Sequence, residues 1–142
     1  KRLSDESKKH VLKNLEMYPY FQQYASKLYN EQFDIFFSAP CLLLIYGDSN
    51  PQWNVYDCTL VAGNIMQDAM KYNLHTRWIG FAEHICETDE IKSKYKIPRH
   101  YKLVCALSVG YPKEQLLPLS RKPAKVIFRI NDLRLNSSSH IV

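Results

Sequence analysis

Few side chains in this sequence have the types and spacing that chemistry demands. A Cys–His nucleophile could be assembled from Cys86 or Cys105 with His84 or His100. Cys105 lies in an apolar strand pattern, where a thiol is ordinarily inert filler. His84 and Cys86 are also metal-ligating types, but no second ligand pair lies near them in sequence, so no metal site is expected. Lys92, Lys94, Lys96 and Arg99 form a basic cluster interleaved with Tyr95 and Tyr101. Such a cluster can grip nucleic acid, yet a solvated helix face accounts for it more simply, and no nucleic-acid partner is expected. Gly80 follows Trp78-Ile79 at the end of an extended segment. It marks either a plain turn or a place where backbone must come close to a flat ligand. Arg121 and Lys122 sit in a proline-bounded loop. A guanidinium suits a phosphate by its planar fork of donors, and a solvated loop cation is the bland alternative. No acid, base or nucleophile constellation emerges, so no catalytic side chain is assigned.

The elements that must position these residues fit one domain. The chain has 142 residues, 46% of them hydrophobic and 23% charged, the mix of a soluble globular unit with a single core. Lys and Arg number 19 against 14 Asp and Glu, giving a net charge of +5. That is too weak and dispersed to argue for a polyanion by itself. Four glycines are present, none spaced as a P-loop or dinucleotide fingerprint. The longest nearly apolar run, Ile35 to Tyr46, is broken by Ser38 and Pro40 and is too short to span a bilayer, so no membrane partner is expected. No leader segment is visible at the basic start, and the four cysteines show no CxxC pair. The expectation is a cytoplasmic protein with reduced thiols.

Ser4-Asp5-Glu6 is expected to cap a first helix bearing Val11, Leu12 and Leu15 on one face, with Pro19 stopping it. Tyr20 to Phe33 reads as a second helix. Cys41 to Tyr46 reads as a strand buried on both faces. Asp57 to Asn73 is the clearest helix, apolar around most of its girth and therefore expected at the centre. Arg77 to Phe81 is extended, Thr88 caps a short helix, and Tyr101 to Val109 alternates as a strand. A last strand is expected over Val126 to Ile130, followed by a mobile tail over residues 131–142. With no linker or repeat, residues 1–142 read as one α+β domain.

Several stretches resemble the FMN-dependent nitroreductase family. Phe37-Ser38-Ala39-Pro40 and the following strand match the family's "F..AP.lI.v" entry. Ala62 to Ala69, then Asn73 to Phe81, look like its long helix running into a "GLGTxWIGxF" segment. Ile97-Pro98 with Tyr101 to Pro112 resembles its "IP…y…v..l.lGyP" strand, and Ser120 to Pro123 its basic "sRxP". The resemblance implies a nitroreductase-like fold: a mixed or antiparallel sheet packed by helices around one long buried helix. It implies FMN as cofactor, bound by the backbone at Ile79 and Gly80 and through its phosphate by Arg121, assisted by Lys122. It also implies hydride transfer from NAD(P)H through FMN to a small aromatic acceptor such as a nitroaromatic or quinone. A homodimer with the flavin at the subunit interface is implied as well, and the apolar helix from Asp57 to Asn73 is the expected interface element.

The family's opening Arg-Arg-Ser-x-Arg motif has no counterpart here, and Glu6 stands where its second arginine would fall. The chain thus resembles the C-terminal two-thirds of such an enzyme, and a flavin-free scaffold serving as a binding module is the alternative. His75 and Asn73 replace usual glycines; Asn accepts left-handed backbone more readily than His. If Arg121 holds the phosphate, Arg121→Ala weakens FMN and spares riboflavin in a fluorescence titration. Equal weakening of both ligands would refute the phosphate role.

Overall fold

The computed structural model describes residues 2–49, 52–114, 120 and 122–127. Helix α1 spans Arg2–Lys13, followed by two 3-10 turns at Leu15–Met17 and Pro19–Tyr24 and a short α2 at Ala25–Tyr29. Strand β1 (Cys41–Asp48) leads to the long helix α3 (Asn54–Lys71) and strand β2 (His75–Trp78). Two short helices, α4 (Phe81–Cys86) and α5 (Asp89–Lys94), precede strand β3 (Tyr101–Gly110).

The three strands form an antiparallel sheet in the order β1-β3-β2. Cys41 lies opposite Val109 and Asp48 opposite Tyr101, with an irregularity between Ile45 and Tyr46. His75 lies opposite Gly110 and Trp78 opposite Leu107. The centre of β3 is flanked by strands and covered on both faces, and there it is apolar: Cys105, Ala106 and Leu107 are fully buried. The faces differ in what they meet. Cys105 and Leu107 pack against Ala62, Ile65 and Met66 of α3. Ala106, on the opposite face, joins a larger core built from Val11, Phe21, Leu28, Ile35, Ala82 and Ile91. The small side chain of Ala106 leaves room there for α4. Burying Leu107 alone is worth about 1.5–3 kcal/mol.

Polar staples fix the helices on this second face. Ser4 is buried and its hydroxyl accepts the Ile35 N–H at 3.0 Å. Lys8, also buried, donates its ammonium to the carbonyls of Phe33 at 2.8 Å and Asn30 at 3.1 Å. The Tyr46 hydroxyl donates to the Cys86 carbonyl at 2.8 Å, joining β1 to α4. Glu87 uses both carboxylate oxygens: one accepts the Leu103 N–H, and the other pairs with the buried Lys92 ammonium at 2.9 Å.

Several expectations change in physical detail. Ser4 sits inside α1 rather than capping it, because its hydroxyl is spent on Ile35. Tyr20 to Phe33 is a 3-10 turn and a five-residue helix, not one helix; Pro19 starts the tight turn and aromatic packing holds it there. Strand β1 lies at the sheet edge among the described residues and leaves Cys41 and Leu43 exposed, so it is not buried on both faces. Helix α3 is the expected long helix, lying against the sheet centre, but in the single chain only Ala62 and Ala69 are buried. Val126 and Ile127 belong to no strand, and residues 128–130 and the tail lie outside the described residues. Thr88 does cap α5, accepting the Ile91 N–H. Asn73 adopts a left-handed φ of 56° at the end of α3, while His75 begins a strand and needs no such conformation.

Glu87→Ala leaves the Lys92 ammonium buried without its carboxylate and the Leu103 N–H without its acceptor. A loss of about 2–4 kcal/mol is expected in urea unfolding. An unchanged midpoint would show that water replaces both contacts.

Candidate functional site

The turn that closes β2 concentrates the candidate residues. After Trp78 the chain leaves the strand, and the Ile79 N–H donates to the Ala106 carbonyl at 2.8 Å. This bond, with the 3% exposure of Ile79, pins the turn to the core. Gly80 follows as the N-cap of α4 with φ −63°. Its conformation therefore needs no glycine; what matters is space. A Cβ built at Gly80 would meet nothing within 4 Å, so the backbone there faces an open surface. Neither the Gly80 nor the Phe81 N–H finds an acceptor among the described residues, whereas the Ala82 N–H returns to Ile79 O at 3.2 Å. Two adjacent amides thus remain available beside an uncrowded glycine. Sequence reasoning named Ile79 and Gly80; the hydrogen-bond pattern makes Gly80 and Phe81 the available pair. The signal in the sequence was Gly80 itself, since the residue after it begins a helix whose first amides lack internal acceptors.

Side chains brace the turn from both sides. Trp78, 38% exposed, donates its indole N–H to Glu83 Oε1 at 3.1 Å, spanning the segment that carries Gly80. Phe81 packs into an aromatic group with Phe21 at 4.9 Å and Tyr24 at 5.5 Å between ring centroids. His84 stacks on Tyr18 at 4.0 Å. Burial holds the His84 imidazole below its ordinary pKa, with His10 acting in the same direction and Glu83 opposing. His84 is thereby an aromatic packing partner rather than half of a nucleophilic pair.

The other sequence candidates are placed as follows. Lys122 is exposed, and Arg121 lies outside the described residues. In the basic cluster, Lys92 is buried on Glu87 and Lys94 pairs with Glu6 at 3.7 Å, so two of its cations are engaged within the fold. Glu6 also holds Arg2 at 3.0 Å. Among the described residues no group of three His, Cys, Asp or Glu side chains is placed to hold a metal, and no helix is long and apolar enough to cross a membrane. Cys86 and Cys105 are fully buried. Burial, helped by Glu87, pushes the Cys86 thiol up to about 11; burial, helped by Glu83, pushes Cys105 up to about 12.

The nitroreductase family model matches residues 1–111. The chain belongs to the nitroreductase family. No curated protein matches the chain. Solved structures share the fold at low identity. A nitroreductase from Bacteroides fragilis with bound FMN superposes with a TM-score of 0.72 at 17% identity, covering 91% of this chain and 68% of that one. An FMN-dependent nitroreductase from Clostridium difficile gives 0.65 at 21% identity, with 92% and 72% covered. A nitroreductase from Desulfitobacterium hafniense with bound FMN gives 0.66 at 16% identity, with 92% and 71% covered. The α+β architecture with its antiparallel sheet is therefore the nitroreductase fold.

Thiols raised this far hold little reactive thiolate: a group with a pKa of about 11 is roughly one part in a thousand ionised at pH 8. Native protein treated with iodoacetamide at pH 8 should be alkylated at exposed Cys41 and resist at Cys86 and Cys105, read by peptide mass spectrometry. Rapid modification of Cys105 would contradict its packing.

Proposed function

We propose that this chain is a single nitroreductase-like unit that binds FMN and works as an oxidoreductase. The observation that carries the reading is the pair of unpartnered amides at Gly80 and Phe81, set beside open space in a chain of this family. An isoalloxazine needs a flat approach and donors at its polar edge, and a side chain at position 80 would stand in the way. The residues present thus fit the cofactor. When bound, FMN would supply two-electron chemistry between NAD(P)H and an acceptor such as a nitroaromatic or quinone.

The protein's own part is positional. Ile79 anchors the turn through Ala106, so the amides at Gly80 and Phe81 are held without reorganisation. Fixed donors of this kind favour negative charge on a bound ring. Arg121, with Lys122 beside it, would tether the phosphate by a charge-assisted fork. No side-chain acid or base is required.

The reading includes a homodimer. Helix α3 turns Val55, Tyr56, Leu60, Val61 and Met70 outward, with Tyr72 just past its end, each about half or more exposed. A shallow cleft of about 420 Å³ between α3 and the sheet, lined by Leu43, Val61, Ile65, Leu74 and Val109 among others, adds to this exposed apolar surface. A second copy laid on α3 would cover it. A cytoplasmic setting accords with four unpaired thiols.

Purified protein should quench FMN fluorescence at tens of micromolar, about −6 kcal/mol of binding, and run as a dimer in sedimentation. Gly80→Val should abolish quenching while leaving the circular dichroism spectrum intact, because a Cβ at position 80 has nothing within 4 Å to displace. Undiminished quenching by Gly80→Val would remove the ring from this turn.

A further inference from the structure

Along β2 from His75 to Arg77, a cleft of about 600 Å³ that Gly80 does not line opens between the Phe37–Pro40 entry, β2 and the end of β3. Its volume is that of a small-ligand site. Three cationic or ionisable donors line it, Arg77, His75 and Lys113, against a single acid, Glu114. None of those three side chains makes an ion pair among the described residues. Arg77 is held in a defined pose instead: its guanidinium lies 4.2 Å above the centre of the Phe37 ring. Stacking occupies a face of the guanidinium and leaves its N–H edge free for a bidentate acceptor.

The aromatic wall is built at a cost. Phe37 and Ser38 are consecutive non-glycine residues at φ 57° and 56°. Left-handed backbone of this kind is disfavoured for any residue that carries a Cβ. The Asp34 carboxylate sustains it, accepting the Phe36 and Ser38 N–H groups at 2.9 Å each. Burial alone would raise that carboxyl; the Phe36 and Ser38 donors, with the Ser4 hydroxyl, outweigh it and hold Asp34 below its ordinary pKa. The result is a Phe37 ring half exposed at the cleft, with Tyr111 still more exposed across the same opening.

We infer that this cleft binds a nucleoside phosphate, its phosphate on the Arg77 fork with Lys113 as a point charge, and its base against the Phe37 and Tyr111 rings. The chemistry is distinct from the turn at Gly80, which does not line the cleft. Hydroxyls of Ser38 and Thr76 supply neutral donors for a sugar.

The test is calorimetric titration of the full chain with AMP, adenosine and inorganic phosphate, first alone and then with FMN present. AMP should bind, adenosine about tenfold or more weakly, and phosphate more weakly still, since neither carries both recognition elements. Arg77→Ala should lower AMP affinity about tenfold or more, Lys113→Ala several-fold, and Arg77→Lys should restore only part of it because the fork is lost. Both side chains are at the surface, so thermal unfolding should be unchanged. The inference is overturned if AMP shows no heat at millimolar concentration, if Arg77→Ala binds AMP as the natural chain does, or if FMN displaces AMP one for one. FMN failing to bind while AMP still does would bear only on the turn at Gly80.

Discussion

The Ile79 N–H to Ala106 carbonyl bond is the constraint on which the site depends. It is made to the most deeply buried stretch of the sheet, where β3 has neighbours on both edges and cover on both faces. A donor fixed there cannot drift, and the two residues that follow inherit its position. The pinned Ile79 also starts α4 at a set angle, which brings Phe81 onto Phe21 and Ala82 into the core. Backbone geometry, rather than a reactive side chain, is what this part of the molecule offers a ligand.

Around that bond the two faces of the sheet solve different problems. On one, the helices near the N-terminus and α4 enclose a large core tied by buried polar contacts from Ser4, Lys8 and Tyr46. On the other, α3 alone covers Cys105 and Leu107 and turns the rest of its surface outward. Gly47 shows how closely that helix approaches: a Cβ there would fall 2.9 Å from Cys58 Sγ. The asymmetry separates what holds the chain together from what it presents to others.

Much of this was legible in the sequence, and the misreadings have physical causes. The long helix, the β3 alternation, the Thr88 cap and the left-handed Asn73 each follow from local chemistry that tertiary contacts did not overrule. Burial was harder to read. An apolar run such as Cys41 to Tyr46 has the same letters whether a strand lies at an edge or in the middle, and only pairing decides it. Apolar girth on α3 likewise says that something must cover it, not that its own chain does. Ser4 looked like a cap because a hydroxyl near a helix start usually is one; its acceptor role toward Ile35 depends on a residue 31 positions away. The Phe37–Arg77 stack joins residues with no signal in either local pattern, and was invisible until β1 and β2 were laid beside β3.

The buried ammonium of Lys8 has a consequence of its own. Because it donates to main-chain carbonyls at Asn30 and Phe33, one buried positive charge fixes the chain just before Ile35 and Phe36 enter the core. Acetylation of that amine would erase the charge and most of its donors at once. A single acyl group would then loosen the approach to the sheet at the carbonyls that the ammonium gathers.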